Sequence, residues 1–318
     1  MTHNLRTQVH LEDILVEADA KGLKTDVWIS SHQAEIEERL QKQGAVLIRG
    51  LKIQSSKKFG TALKQFFGDE LINYTYRSTP RTELRGNVYT TTEYHADEII
   101  PQHNENSYSN VWPLRLGFLC MLPAETGGET PIADSRVIYQ HIPPEIRSEF
   151  EAKGVMYVRN YGKIDLPWSE VFQSEDPKQV EAYCQANQLE FEWKADGGLR
   201  TKQINPASTI SPVTKEPIWF NQAHLFHISS LNSEARANLS AVMEEEDFPR
   251  NTYFGDGSPI DESVLDVIRK VYEDHQLVFS WQKNDLLLLN NMLFSHGRNT
   301  YTGPRKVLAG MATPYSHS

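Results

Sequence analysis

The stretch HNENSYSNVWP, residues 103–113, holds two residues able to bind a metal, His103 and Glu105, with one residue between them. On an extended strand, side chains at i and i+2 share a face, whereas on a helix they diverge by about 200°. The spacing therefore predicts a strand that presents both side chains together, and with them two-thirds of a metal site. The best third ligand is His296, in HGR at 296–298, a short turn after the apolar run DLLLLNN at 285–291. Two imidazoles and one carboxylate leave one face of an octahedral ion open, which suits non-haem Fe(II) chemistry with a bidentate 2-oxo acid and O₂. A closed structural zinc site would want a fourth protein ligand and more sulfur. The chain has eleven histidines, so a chance His-x-Glu pairing stands as the alternative.

Composition narrows the classes. The chain has 318 residues, 39% of them apolar, enough for one large domain. It reads as a single domain over 1–318, with 1–25 as a peripheral N-terminal segment. A net charge of −10 and a pI of about 5.6 give no support for nucleic acid or an anionic membrane as partner. Cys120 and Cys184 stand apart with no CxxC pattern, which predicts free thiols and fits a cytoplasmic location. The opening MTHNLRTQVHLEDILVEADA is too polar for a signal peptide. No apolar run reaches the length of a membrane span.

Periodicity predicts helices over 31–44, 55–68 (with a serine cap), 143–153, 176–188, 232–245 and 261–275. Short apolar segments predict strands at 45–50, 116–122, 154–162, 216–222, 276–282, 285–291 and 305–312. No repeat and no regular β–α alternation with a phosphate loop is present. The pattern predicts a mainly β core wrapped by helices. Trp112, Phe118 and Trp219 are expected in that core. MEEEDFPR (243–250) reads as a solvated acidic helix end, and YFGDGSPID (253–261) as a turn and helix cap.

Two further residues extend the metal reading. Thr130 lies in TGGETP (126–131), where paired glycines permit a tight turn. Arg305 lies in GPRKVLAG (303–310), nine residues after His296. A guanidinium and a hydroxyl can clamp a carboxylate; the plainer alternatives are a strand-end cation and a turn residue.

HNEN (103–106), GGETPIADSR (127–136), FNQAHLFH (220–227) and NNMLFSHGRNTYTGPRKVL (290–308) together closely resemble the TauD/TfdA family of Fe(II)- and 2-oxoglutarate-dependent dioxygenases. The likeness is nearest to its clavaminate-synthase-like and SyrP-like branch, and runs from about Gly44 to about Met311. The resemblance implies a double-stranded β-helix (jelly-roll) core with helical insertions. It implies His103, Glu105 and His296 as iron ligands, and Thr130 and Arg305 on the distal carboxylate of the 2-oxoglutarate co-substrate. It further implies hydroxylation of an unactivated C–H with O₂, giving succinate and CO₂. In taurine dioxygenase a second arginine, four residues after the first, grips the sulfonate. Ala309 stands at that position here, which speaks against a sulfonate substrate. Glu105 stands where related halogenases carry a small residue, which speaks against halogenation.

The branch oxidises amino acids and amino-acid-derived natural products, so a small-molecule substrate, an amino acid free or tethered to a carrier, is the expectation. Carrier proteins are usually acidic, and the charge of this chain leans toward the free form. RTELRGNVYTTTEY (81–94) reads as an active-site loop in which Arg81 or Arg85 could pair a substrate carboxylate; the alternative for each is a surface cation. Asn106, Tyr108 and Asn221 are candidate cavity residues. His224 and His227 read as packed behind the metal rather than bound to it. From other classes, two alternatives remain: a metal-dependent hydrolase on a similar scaffold, with a zinc-activated water and no need of the Thr130–Arg305 clamp, and a non-catalytic jelly-roll binding protein, in which the triad is relict or structural.

Overall fold

The run Leu286–Asn290 is the middle of the fold. All of its side chains are buried, and they alternate as a strand requires. Leu287 and Leu289 join one apolar cluster, and Leu286 and Leu288 another on the opposite face. A strand covered on both sides needs neither polar face, which is why the sequence runs four leucines in a row.

The computed structural model describes residues 6–19, 22–73, 76, 82–84, 86–91, 94–162 and 164–316. In it, Leu286–Asn290 lies within a six-stranded sheet in the order Leu15–Glu17, Ala45–Arg49, Leu286–Asn290, Val111–Leu122, Lys306–Ser316, Val88–Thr90. The segment ahead of residue 25 thus contributes an edge strand, paired parallel to Ala45–Arg49. A four-stranded sheet, ordered Gln276–Leu277, Ile132–Asp134, Phe294–Arg298, Ile100–His103, faces it. Phe118, Leu287, Leu289 and Val307 from the first sheet and Ile132 and Phe294 from the second share one core.

Helices Thr25–Lys42 and Ser56–Phe67 cover the outer face of the large sheet. The second of these is capped by Ser55, whose Oγ accepts from Lys58 N–H at 3.2 Å, and stopped by Gly68 at φ +63. It rides close to the sheet because Gly117 and Gly310 stand opposite each other in neighbouring strands. A Cβ on either would come within 2.3 Å or 2.5 Å of the Leu63 methyls, so the paired glycines form the socket for that leucine.

A third sheet, ordered Arg250–Phe254, Val155–Tyr161, Leu199–Asn205, Glu190–Trp193, shares a separate aromatic-rich cluster with residues of Pro144–Lys153, Pro177–Ala186 and Glu262–His275. Helix occupies about as much of the chain as strand, so the mainly β expectation understated the helices. Helix Ser233–Ser240 is shorter than expected, and only Gln276–Leu277 of 276–282 is strand. Trp112, Phe118, Trp219, Cys120 and Cys184 are all buried, and both cysteines are free. Asp261 caps Glu262–His275, and residues 245–247 form an exposed 3-10 turn.

Candidate active site

His296 lies mid-strand in Phe294–Arg298 and stands opposite His103, the last residue of Ile100–His103, in antiparallel register. Their ring centroids are 4.4 Å apart. Glu105 does not continue that strand. The chain turns at 105–108, with Asn106 at φ +56, a conformation asparagine tolerates better than most residues. The turn still brings the carboxylate back: Glu105 Oε2 is 3.8 Å from His296 Nε2, and one ligand atom from each of His103, Glu105 and His296 lies within 4.8 Å of the others. Glu105 and His296 are 2% and 5% exposed, whereas His103 is half-buried and forms the side of the group that faces the cavity.

Backbone hydrogen bonds hold this arrangement. His103 Nδ1 lies 2.8 Å from the Pro101 carbonyl; donating there, it turns Nε2 toward the other two donors. Asn291, fully buried, fastens the turn. Its Oδ1 accepts from Glu105 N–H at 2.7 Å, and its Nδ2 donates to the carbonyls of Glu105 at 2.9 Å and Pro113 at 2.8 Å. Its own carbonyl accepts from Asn104 Nδ2 at 2.7 Å. The same residue thus ties the Glu105 turn to the segment leading into His296.

The clamp candidates lie in the same cavity, lined by His103, His296, Phe118, Thr130, Arg298 and Arg305 among others. Gly127 and Gly128 adopt φ +67 and +71, and Arg305 Nε donates to the Gly128 carbonyl at 2.8 Å. A Cβ on Gly128 would stand 3.0 Å from Arg305 Cδ, so glycine is what lets the arginine pass. Arg305 Nη2 reaches Thr130 Oγ1 at 3.5 Å, and Trp281 Nε1 donates to the same oxygen at 3.1 Å. Burial, with Arg298 as a like-charged neighbour, pushes the Arg305 guanidinium down to about 10. Arg298, two residues from His296, is spoken for: its guanidinium donates to the carbonyls of Tyr94, His95 and Glu98.

The whole span from residue 10 to 312 matches the family of the taurine catabolism dioxygenase TauD and TfdA. The chain belongs to the TauD/TfdA family. It is similar to the dapdiamide synthesis protein DdaC of Enterobacter agglomerans, 39% identical over 301 residues that cover 94% of this chain and 91% of that protein. A clavaminate synthase-like protein of Arabidopsis thaliana is 30% identical over 294 residues, covering 89% and 86%. Among solved structures, PvcB of Pseudomonas aeruginosa superimposes with a TM-score of 0.55 at 13% identity, covering 94% of this chain and 84% of that one. AAD-2 in complex with Mn(II) and N-oxalylglycine gives 0.55 at 14%, covering 98% and 97%. These distant likenesses concern the fold. As a TauD/TfdA member the protein is an iron- and 2-oxoglutarate-dependent dioxygenase that uses O₂, and the hydrolase and non-catalytic readings are set aside.

The donor set fits such an iron. Ligands about 2.1 Å from one ion and at right angles to each other stand about 3 Å apart, so the 3.8 Å between Glu105 Oε2 and His296 Nε2 closes with a small side-chain shift. Two nitrogens and one oxygen without sulfur are the donors such iron takes.

The remaining sequence candidates separate. Asn221 Nδ2 donates to the Ala207 carbonyl at 2.7 Å and its Oδ1 accepts from Ala223 N–H at 3.0 Å, which makes it a strut of the helix Ala223–Phe226. Tyr108 Oη donates to the Tyr76 carbonyl at 2.9 Å within an aromatic cluster. Asn106 lies in the turn beside Glu105, with Oδ1 3.2 Å from Tyr108 Oη. Arg81 and Arg85 lie outside the described residues. His224 is packed behind the ligands, its Nε2 2.9 Å from the Gln102 carbonyl, and burial pushes its pKa down to about 4. His227 lines a second, larger cavity that also reaches His103. Leu225, Phe226, Ile164 and Arg250 line that cavity too, and sequence reasoning had not named them; the FNQAHLFH motif and the loop ending at Tyr94, which also lines it, were the signals that pointed there.

Proposed function

We propose that this dioxygenase oxidises an unactivated C–H bond of an amino acid or an amino-acid-derived small molecule, by hydroxylation, with succinate and CO₂ as co-products. The two facing sheets would form a double-stranded β-helix, and the chain one catalytic unit. The observation that carries the reading is the meeting of His103, Glu105 and His296, two of which, His103 and His296, line a cavity together with Arg305 and Thr130. Bound iron and 2-oxoglutarate supply the oxidant. The protein's own residues do the rest. His103, Glu105 and His296 hold the metal, and Arg305 and Thr130 hold the distal carboxylate. Phe118, with its ring centroid 5.0 Å from that of His296, keeps water from one flank.

Two residues shape the outcome. Ala309 packs into the inner core and offers no second guanidinium for a sulfonate. Glu105 occupies the position a halide would need, which favours oxygen transfer over halogenation. The relative that takes part in dapdiamide synthesis supports an amino-acid-derived substrate and a place in natural-product biosynthesis. The test is direct: purified protein with Fe(II), ascorbate and O₂ converts 2-oxoglutarate slowly to succinate, and candidate amino acids accelerate it. Under ¹⁸O₂ with excess chloride, the product gains one labelled oxygen. A chlorinated product, or failure of 2-oxoglutarate to bind the Fe(II) form, would sink the reading.

A further inference from the structure

Arg305 stands between two hydroxyls, and the sequence announces only one of them. Thr91 follows directly on the edge strand Val88–Thr90. Its N–H donates to the Val307 carbonyl at 3.1 Å. Val307 belongs to the strand Lys306–Ser316, which Arg305 leads into, so one strand fixes both the arginine and the threonine. Thr91 lines the iron-site cavity together with His103, His296, Thr130 and Arg305. Its Oγ1 accepts from Arg305 Nη1 at 3.4 Å, as Thr130 Oγ1 accepts from Nη2 at 3.5 Å.

A count of donors shows which protons this wall leaves over. A guanidinium carries five N–H donors. Among the described residues, the Gly128 carbonyl and the two threonine oxygens engage three of those on Arg305, which leaves one on each terminal nitrogen. A hydroxyl carries one proton and two lone pairs. Both lone pairs of Thr130 are taken, by Arg305 and by Trp281, so its proton is left to donate. Thr91 Oγ1 accepts from Arg305, and its proton meets no acceptor among the described residues. Two N–H and two O–H groups beside one positive charge therefore remain on the same cavity wall. An ionised carboxylate accepts at about four lone-pair positions, so the wall matches it donor for acceptor.

We propose that Thr91 is a third binding residue for the co-substrate, its hydroxyl donating to the distal carboxylate beside Arg305 and Thr130. This rests on the oxygenase reading above and enlarges its clamp from two residues to three. Thr91 is then a determinant of co-substrate choice, favouring a 2-oxo acid with a distal carboxylate over one that ends in a methyl group.

Calorimetry without oxygen on the Fe(II) protein tests it with two ligands, 2-oxoglutarate and 2-oxopentanoate, whose chain ends in a methyl. Thr91→Val keeps the side-chain shape and removes the hydroxyl. It should weaken 2-oxoglutarate by about tenfold, the weak end of what a hydrogen bond to a charged group is worth, and leave 2-oxopentanoate as it was. Thr91→Ser should keep most of the 2-oxoglutarate affinity. A hydroxyl that only steadied Arg305 would have nothing left to do in Arg305→Ala; one that touches the carboxylate still counts there, so adding Thr91→Val should weaken the remaining binding again. Circular dichroism verifies folding, and Thr91→Ala replaces the valine variant if that one is misfolded. Four results would each overturn the assignment: unchanged 2-oxoglutarate affinity in Thr91→Val, equal weakening of both ligands, a loss in Thr91→Ser as large as in Thr91→Val, or no further loss in the Arg305→Ala background. The single Arg305→Ala variant separates the two readings. If it weakens 2-oxoglutarate and Thr91→Val does not, the role of Thr91 alone is removed; if the unaltered Fe(II) protein binds no 2-oxoglutarate, both fall.

Discussion

Replacing Arg305 by alanine should cut 2-oxoglutarate affinity by between about tenfold and a few hundredfold. The lower figure is the net worth of a charge-assisted hydrogen bond, about 1.5 kcal/mol at the weak end. The upper figure comes from the site itself. Burial and the like charge of Arg298 push the Arg305 guanidinium down to about 10 without a ligand, which disfavours its charged form by about 3 kcal/mol. A carboxylate arriving in the cavity relieves it, and the alanine variant has nothing to relieve. The same logic sets a pH dependence. Without ligand, Arg305 loses its proton as pH rises through about 10, so affinity should be level below that and fall above it, while the alanine variant stays flat. Thr130→Val removes one neutral hydroxyl, which also accepts from Trp281, and should cost less than Arg305→Ala. Anaerobic titration of the Fe(II) protein with 2-oxoglutarate reads all of this. Unchanged affinity in Arg305→Ala would refute the reasoning. Arg298 is a poor substitute, since its guanidinium already serves three backbone carbonyls.

Asn291→Ala should lower unfolding stability by about 2–4 kcal/mol, because it strands buried groups of the Glu105 turn, and should weaken iron binding; chemical denaturation and Fe(II) titration measure the two. Buried His224 titrates near 4 in the folded chain, against 6.5 for an ordinary histidine. The unfolded chain therefore binds the extra proton between those values, and stability falls as pH drops from about 6.5 to about 4, by about 3 kcal/mol from this group. His224→Gln should flatten that slope in acid denaturation; an unaltered slope would assign it elsewhere. Arg298→Ala frees the carbonyls of 94, 95 and 98, and hydrogen exchange should speed up there, with little change in Leu286–Asn290.

Much of this architecture was legible. Four of the six expected helices lie within about two residues of their predicted ends, while Thr25–Lys42 starts early and Ser233–Ser240 stops early; the matches come because serine, aspartate and glycine mark termini through their own hydrogen bonds and backbone freedom. The expected strand through His103 and Glu105 is present only as Ile100–His103, at a sheet edge where Pro101 costs no ladder bond. The i, i+2 argument reached the right residues by a geometry the chain does not use, since the strand ends at His103 and a turn returns Glu105. What makes that turn work is Asn291, 186 residues away, and no local pattern announces a contact of that span. The larger cavity was hidden for the same reason: its walls come from residues 94–101, 164–167, 222–239 and 249–250, which only the folded chain brings together.

The central claim is that His103, Glu105 and His296 hold the iron on which the oxidation depends. Anaerobic Fe(II) titration of the three single alanine variants tests it most directly, read beside circular dichroism to verify folding. The account predicts one Fe(II) per chain for the unaltered protein. It predicts none for folded His103→Ala or His296→Ala, and weakened iron with no substrate oxidation for Glu105→Ala. Stoichiometric Fe(II) binding by either folded histidine variant, at unaltered affinity, would contradict it.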